Sequence, residues 1–228
     1  MAVAFDVAQS TTGNFVSSLT TAAFTVSSSA DRAIAAGISW SGTTVSSVAG
    51  AGVTLDSQGA AATSAGGISV QQYAKANPSS GSQTATVTFG DANGLSLGIG
   101  ICTFIGADQT TPTSGYTTAT GSGSGDLTVT ASPAPGADDF VMDTGFEDLA
   151  SASAAGADQT SRWNTGAFIG STQDGAAGGV MSWTHIGVGA WAMTTVIIET
   201  VAAAGRTTKN TRAGPLGTEI GMNWRGAA

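Results

Sequence analysis

The amino-acid sequence predicts an all-β protein, an antiparallel β-sandwich of jelly-roll type with an extended C-terminal arm. Short apolar runs alternate with Ser and Thr at a period of two residues, which is the pattern of half-buried strands. Clusters of Gly, Pro, Asn and Asp separate these runs at intervals of about ten residues, as in sandwich folds. With 228 residues, 41% of them hydrophobic, the chain is long and apolar enough to bury a continuous core.

The alternation predicts twelve strands. In chain order they are Val3–Val7, Leu19–Val26, Arg32–Trp40, Val45–Val48, Val53–Ser57, Ile68–Lys75, Gln83–Phe89, Leu95–Phe104, Asp126–Thr130, Phe140–Gly145, Gly178–Thr184 and Ala190–Glu199. Two runs, Gly94–Gly106 and Trp191–Ile198, are almost wholly apolar, which is typical of central strands covered on both faces. Cys102 lies in the first of them and is predicted to be a small buried hydrophobe. The string Gly-Ala-Asp-Gln-Thr occurs at 106–110 and 156–160 and is interpreted as two similar turns.

The charges divide the chain into a predicted sandwich domain, residues 1–203, and a basic arm, residues 204–228. The first part has three cations against fourteen carboxylates, a net charge of −11, and the second has a net charge of +3. An acidic surface repels nucleic acid and anionic membranes, because both are bound mainly through Lys and Arg. No stretch approaches the roughly 18 apolar residues of a membrane span. The predicted partners therefore include neither nucleic acid nor a membrane.

The basic arm contains too few apolar residues to form a core of its own. Two interpretations are open: a mobile terminus, or an arm that docks on the acidic body of a neighbouring subunit. Ile220, Met222 and Trp224 alternate with small or polar residues, which suits a strand added to an open sheet edge. The residues assigned to the arm are Arg206, Lys209, Arg212, Ile220, Met222, Trp224 and Arg225.

Titratable side chains are scarce, which argues against an enzyme. Only 10% of the residues are charged, and there is one histidine, His185, at the predicted end of a strand. Most hydrolytic and transfer reactions at neutral pH need a titratable group beside a nucleophile or metal. The sequence has no P-loop and no His-x-x-x-His pair, and its Gly-x-Ser-x-Gly string at 94–98 lies within the apolar run that is predicted to be a strand. We therefore expect no catalytic residues and no cofactor. A calcium-dependent glycan hydrolase stays as a minor alternative, although no spacing of carboxylates indicates it.

One acidic cluster is a candidate for calcium. Asp138, Asp139 and Asp143 lie close together in the sequence, followed by Glu147 and Asp148. Calcium takes six to eight oxygen ligands, which carboxylates and loop carbonyls supply. The spacing matches no EF-hand loop, and solvated strand ends explain the cluster equally well.

The aromatic residues divide by their surroundings. Trp40, Trp183 and Trp191 have the parity of core residues within predicted strands. Trp163 and Tyr116 lie in turn-rich segments, where an exposed ring stacks on a sugar. These two residues are therefore the candidates for a glycan-binding surface.

The order of several segments resembles a jelly-roll, lectin-like module of virion structural proteins from tailed bacteriophages. The matching segments are 31–40 (DRAIAAGISW), 45–55 (VSSVAGAGVTL), 68–78 (ISVQQYAKANP), 84–89, 104–112 (FIGADQTTP), 159–164 (QTSRWN) and 181–198. The resemblance covers roughly residues 3–200, and the basic arm lies outside it. It implies a sandwich without an established catalytic site, used for assembly, decoration of a head or tail, or adhesion.

Together, these observations lead to one expected function and, beside the hydrolase, two alternatives. We expect a non-enzymatic virion protein, a head decoration, spike or tail subunit, that forms homo-oligomers and contacts other virion subunits. The first alternative is a lectin-like module that binds glycans on the host surface. The second is a single jelly-roll capsid protein, which would build a shell without another chain.

Overall fold

The computed structural model describes residues 1–148, 154–184 and 187–201, and almost all regular structure within them is β-strand. The strands are β1 (Ala4–Gly13), β2 (Ser18–Thr20), β3 (Phe24–Val26), β4 (Arg32–Ser41), β5 (Val45–Gly50), β6 (Val53–Thr54), β7 (Asp56–Ser57), β8 (Ala62–Thr63), β9 (Ser69–Ala76), β10 (Gly81–Gln83), β11 (Ala85–Phe89), β12 (Leu95–Ile105), β13 (Thr113–Gly123), β14 (Leu127–Thr130), β15 (Phe140–Glu147), β16 (Ala154–Ala155), β17 (Gln159–Asn164), β18 (Phe168–Asp174), β19 (Val180–Thr184) and β20 (Gly189–Ile198). One 3₁₀ turn, Gly175–Ala177, connects β18 to the segment before β19. The described residues contain no helix that is long and apolar enough to cross a membrane.

Four antiparallel sheets form the body of the molecule. Sheet I has the order β1-β12-β4-β9-β7, with β8 also paired to β9, and sheet II has the order β2-β11-β5-β6. Sheet III has the order β13-β20-β15-β18-β17, and sheet IV has the order β14-β19-β16. A small ribbon pairs β3 with β10. The predicted antiparallel all-β sandwich is therefore confirmed.

The sheets are stacked in four layers, whereas the sequence predicted one two-layered sandwich. Three hydrophobic clusters separate the layers, and each takes residues from two facing sheets. Val48, Val87 and Phe89 of sheet II pack against Ile38 and Ile99 of sheet I. A second cluster joins the other face of sheet I to sheet III, and a third joins sheet III to sheet IV. Both central sheets are thus buried on both faces.

The two halves of the chain follow the same path. In each half the first strand is an edge of the large sheet and the last strand pairs with it. The shared spatial order is β1-β12-β4-β9 with β2-β11-β5 in the first half, and β13-β20-β15-β18 with β14-β19-β16 in the second. Both first strands, β1 and β13, carry a register shift soon after they start. The large sheets face each other with their order reversed, because β1 contacts β17 and β13 contacts β8. The chain is therefore two sandwiches of one topology, packed through their large sheets.

The apolar runs singled out in the sequence are the middle strands of this stack. Eight of the eleven residues of β12 and eight of the ten in β20 are buried. Cys102, Trp40, Trp183 and Trp191 are buried, as predicted. Three long strands were not predicted, because their sequences are rich in Thr, Ser, Gly and Gln: β13, β17 and β18.

Small residues allow the two central sheets to approach closely. A Cβ on Gly37 of β4 would lie 1.8 Å from Thr144 Oγ1 of β15. A Cβ on Gly98 of β12 would lie 2.9 Å from the ring of Phe168, and one on Gly100 would lie 2.4 Å from the ring of Trp163. Side chains of sheet III therefore fill the space that glycines leave on sheet I.

Candidate functional site

Trp163 lies in the core, contrary to the expectation that it is exposed for sugar binding. It is 4% exposed, and its ring stacks on Phe168 with 5.7 Å between centroids and 26° between planes. The ring also covers Gly100 of the facing sheet and Gly170 of the neighbouring strand. The segment 159–164 is a strand, β17, and its alternation turns Trp163 inward. No face of this ring is accessible to a glycan.

Tyr116 is half-buried on edge strand β13, and its polar group is already bonded. Its hydroxyl donates to the carbonyl of Ala60, 2.8 Å away, and its ring lies against Gly59. Burial, with a smaller contribution from nearby Tyr73, raises the pKa of the Tyr116 phenol. Tyr116 thus joins β13 of the second sandwich to the loop before β8 of the first.

Replacing Tyr116 by Phe tests this structural role. We expect the variant to lose about 1 kcal/mol of unfolding free energy, because one hydrogen bond to a carbonyl is removed while the ring remains. Urea denaturation followed by tryptophan fluorescence measures the difference. A variant as stable as the wild type would show that the hydroxyl does not join the two sandwiches.

The acidic candidates do not converge on a metal site. Asp138 is exposed, whereas Asp139 is buried and accepts from the backbone N–H groups of Gly136 (2.7 Å) and Thr200 (2.9 Å). Asp143 points into the core between sheets III and IV. Throughout the described part of the chain, no group of three His, Cys, Asp or Glu side chains is arranged to hold a metal ion. The calcium interpretation of Asp138, Asp139 and Asp143 therefore finds no support.

Asp143 is the centre of a buried polar network. Its carboxylate accepts from the backbone N–H of Ser171, from Trp183 Nε1 at 2.9 Å and from Gln159 Nε2 at 3.5 Å. Gln159 also donates to Ser171 Oγ and accepts from the N–H of Ser182. Burial raises the pKa of Asp143 to about 7, although the hydrogen bonds from Trp183 and Ser171 oppose this. The network fastens sheet IV to sheet III, because Trp183 and Ser182 of β19 bond to Asp143 and Gln159.

The predicted arm and His185 lie outside the described residues. This applies to each residue assigned to the arm: Arg206, Lys209, Arg212, Ile220, Met222, Trp224 and Arg225. The described chain ends at Val201, whose N–H donates to the carbonyl of Gly106. Thr200 next to it donates to the carbonyl of Met1. The arm therefore begins at the end of the stack that holds Met1 and Gly106, called here the acidic end.

Strand β13 presents the longest sheet edge among the described strands. It has eleven residues, TSGYTTATGSG, without a charged residue or a proline. It pairs with β20 on one side, and within the described residues no backbone group of β13 bonds to the protein on the other side. Thr118, Thr120 and Ser122 are exposed along it. Proteins usually protect such an edge with charges, prolines or a covering segment.

The corresponding edge strand β1 is protected in these ways. Asp6, at its register shift, accepts from the backbone N–H of Ser27 and from Thr103 Oγ1. The N–H of Ser10 is capped by the side chain of Gln9. Arg162 of β17 lies over the ring of Phe5, 3.4 Å from its centroid. The open edge of β13 is thus a difference between two halves that otherwise share one topology.

A cleft of about 270 Å³ opens between the two sandwiches at the end opposite to Val201, called here the far end. It is lined by Thr12, Gly13, Asn14, Ser96, Leu97, Phe146, Thr165, Ala167 and Phe168. Two exposed apolar residues adjoin it in the chain, Phe15 at 65% and Leu95 at 45% exposure. The sequence analysis missed this cleft because its residues come from four separate segments. The string Gly13–Asn14–Phe15, a turn followed by an aromatic residue, was its only local signal.

Comparison of the chain with models of protein families, with curated proteins and with solved structures yields no match.

Proposed function

We propose that this chain is a non-enzymatic structural protein of a bacteriophage particle, a surface subunit of the head or tail. In this proposal copies of the chain join when the arm, residues 204–228, of one copy adds to β13 of the next. The observation that carries the proposal is the long, uncharged edge of β13, to which no backbone group of residues 1–148, 154–184 or 187–201 bonds on its outer side. An added strand gains backbone hydrogen bonds along the whole edge, which is a common mode of subunit joining.

The topology supports a jelly roll in each half. In the first half, β1-β12-β4-β9 face β2-β11-β5, and in the second half β13-β20-β15-β18 face β14-β19-β16. A jelly roll is a sandwich of about eight strands in two sheets, and it is frequent in viral capsid proteins. The resemblance of segments 31–40, 68–78 and 181–198 to phage virion modules favours the same assignment.

Charge favours the arm as the segment that docks. The arm carries +3, whereas residues 1–203 carry −11. Around the point where the described chain ends, exposed or half-exposed carboxylates are concentrated on the loops. They are Asp31, Asp108, Asp138, Asp174 and Glu199. A basic segment that approaches β13 of a neighbour at this end meets charges of the opposite sign, which speeds encounter and fixes orientation.

The length of the arm is sufficient for an exchange between subunits. An extended chain of the 27 residues 202–228 spans up to about 90 Å, whereas β13 is about 36 Å long. The alternation of Ile220, Met222 and Trp224 then places three apolar side chains on one face of the added strand. Repeated contacts of this kind become strong when copies repeat around a symmetric particle.

The first test compares molar masses by light scattering for the full chain and for residues 1–203. We expect the full chain to be an oligomer and the truncated chain to be a folded monomer. A full chain with Thr118→Lys and Thr120→Lys is also expected to be monomeric, because lysines on an edge oppose strand addition. Ala49→Lys is the control, since Ala49 is exposed on β5 and is paired on both sides, with Thr86 and with Thr54.

The outcomes separate the proposal from its alternatives. A monomeric full chain, or an oligomer that survives both truncation and the β13 lysines, would contradict assembly through the arm. Closed shells formed by the purified protein, seen by electron microscopy, would favour the capsid alternative. Mass spectrometry of purified phage particles checks the location, and absence of the chain from them would contradict a virion protein.

A further inference from the structure

None of the described residues that line the cleft at the far end has a charged side chain. Its walls offer three hydroxyls and an amide, from Thr12, Ser96, Thr165 and Asn14, and its floor is apolar, from Leu97, Phe146, Ala167 and Phe168. It lies where loops of the first sandwich meet loops of the second. Junctions between packed units are common places for small-molecule sites, which combine an apolar lining with a few polar groups.

Two residues at this cleft have backbone in an unusual conformation: Ser96, which lines it, and Phe15, which follows the lining residue Asn14 in the chain. Phe15 has a φ of 56° and Ser96 a φ of 55°, in the left-handed region that favours glycine. The conformation is held by two hydrogen bonds of 2.8 Å, from the N–H of Phe15 to the carbonyl of Gly94 and from the N–H of Ser96 to Asn14 Oδ1. A bulky aromatic residue at such a position is uncommon, and strained positions of this kind concentrate at ligand sites.

The side chain of Phe15 is exposed to solvent beside the cleft. At 65% exposure its ring contributes little to the core, so packing does not explain an aromatic residue at this strained position. Asn14 uses its amide oxygen to hold Ser96, which leaves its amide nitrogen to donate to a ligand. An exposed ring beside hydroxyl and amide groups is the combination that binds the apolar face and the hydroxyl edge of a pyranose.

We propose that this cleft binds a neutral sugar unit of a glycan. The ring of Phe15 stacks on the C–H face of the sugar, and the side chains of Thr12, Asn14, Ser96 and Thr165 bond to its hydroxyls. Carboxylated or sulfated sugars are disfavoured, because the described lining of the cleft offers no cation to pair with them. The residues that line the cleft belong neither to the arm nor to β13, so the site adds a binding activity to the proposed structural role.

The probe for this proposal is an array of immobilised neutral oligosaccharides of glucose, galactose, N-acetylglucosamine and rhamnose. Sialylated and sulfated oligosaccharides on the same array serve as charged comparisons. The full-length protein is applied first, and the strongest neutral oligosaccharide is then titrated by calorimetry. We expect binding of a neutral oligosaccharide.

Two variants connect that binding to the cleft. Phe15→Gly removes the ring and suits a φ of 56°, so the unfolding midpoint is expected to stay the same or rise while the affinity falls at least about tenfold. Thr12→Val removes a hydroxyl of the cleft at nearly constant shape, and we expect a loss of similar size. Asn77→Gly is the matched control, because Asn77 also has a φ of 56° but lies at the acidic end.

The proposal is overturned by any of three results. These are no binding to the neutral oligosaccharides, binding confined to the charged ones, and binding that Phe15→Gly and Thr12→Val leave unchanged. Light scattering of Phe15→Gly distinguishes the glycan proposal from the proposal of assembly through the arm. The variant is expected to lose glycan binding and to retain the oligomeric state of the full chain.

Discussion

Gly37→Ala is expected to destabilise the protein by about 4 kcal/mol or more, enough to abolish folding of a domain of ordinary stability. A Cβ at position 37 would lie 1.8 Å from Thr144 Oγ1, 2.5 Å from Cγ2 and 2.6 Å from Cβ. Real Cβ atoms essentially never come this close to another atom. Thr144 is fully buried in the middle of β15 and has no room to move aside, because close-packed interiors transmit strain. The two sandwiches would have to separate.

A compensating change at Thr144 tests this explanation. Thr144→Ala alone does not relieve the contact, because the Cβ of residue 144 is itself 2.6 Å away. The double variant Gly37→Ala with Thr144→Gly exchanges the small and the large residue across the interface. We expect it to recover most of the lost stability, less about 1 kcal/mol for glycine within a strand. Denaturant unfolding of the single and double variants gives the coupling energy.

Gly125→Ala is the control for the glycine-to-alanine change. Gly125 lies in the turn between β13 and β14, and a Cβ there meets no atom within 4 Å. The control is expected to unfold at the wild-type denaturant concentration. If Gly37→Ala proved equally harmless, the close packing of the two central sheets would be refuted.

The all-β class and the positions of several strands could be predicted, but the stacking of two sandwiches could not. Strand β11 could be located because buried and half-buried residues alternate along it. Strands β4 and β12 could be located because they are apolar on both faces, and β9 because its sequence combines both signals. The contact of sheet I with sheet III depends on Gly37 and Gly100. From the sequence alone, a glycine within a strand indicates a turn or a bulge, because the residues that face it from another sheet are not known. The repeated pentapeptide gave no help, since 106–110 follows β12 whereas 156–160 precedes and enters β17.

Candidate site residues were predicted less well, for a physical reason. Exposure of an aromatic ring depends on which sheet faces it, and the glycines that admit Trp163 to the core lie on other strands, at positions 100 and 170. Strand β13 was likewise not predicted, because its sequence is polar and rich in glycine. It is a candidate for binding another chain because it lies at the edge of sheet III. Edges and clefts arise from tertiary arrangement, so no local pattern within TSGYTTATGSG or around Phe15 determines them.

Acidification from pH 8 to pH 4 is expected to stabilise the protein through Asp143, opposite to the usual effect of a carboxylate. The side chain is fully buried between sheets III and IV, and burial raises its pKa to about 7 from an ordinary value of 3.8. Three donors, Ser171 N–H, Trp183 Nε1 and Gln159 Nε2, favour the ionised form. The removal of the charge from water outweighs them.

The sign follows from proton binding in the two states. Between pH 4 and pH 7 the folded protein holds a proton on Asp143, whereas the unfolded chain has released it. Unfolding therefore releases a proton, and the free energy of unfolding falls as pH rises through this window. Above pH 7 both states are ionised, and below pH 4 both are protonated, so the contribution is constant outside the window. A shift of this size corresponds to about 4 kcal/mol in total.

Asp143→Asn isolates this contribution from those of other carboxylates. The amide keeps the shape of the side chain and does not titrate, although it places an N–H₂ group among three donors, which lowers stability at every pH. The difference in unfolding free energy between wild type and Asp143→Asn is expected to grow by about 4 kcal/mol from pH 8 to pH 4. Asp138→Asn, which removes an exposed carboxylate, is the control and should follow the wild-type curve. Parallel curves for wild type and Asp143→Asn would show that the buried carboxyl does not gain a proton on folding, and the hydrogen bonds of its network would then outweigh its burial.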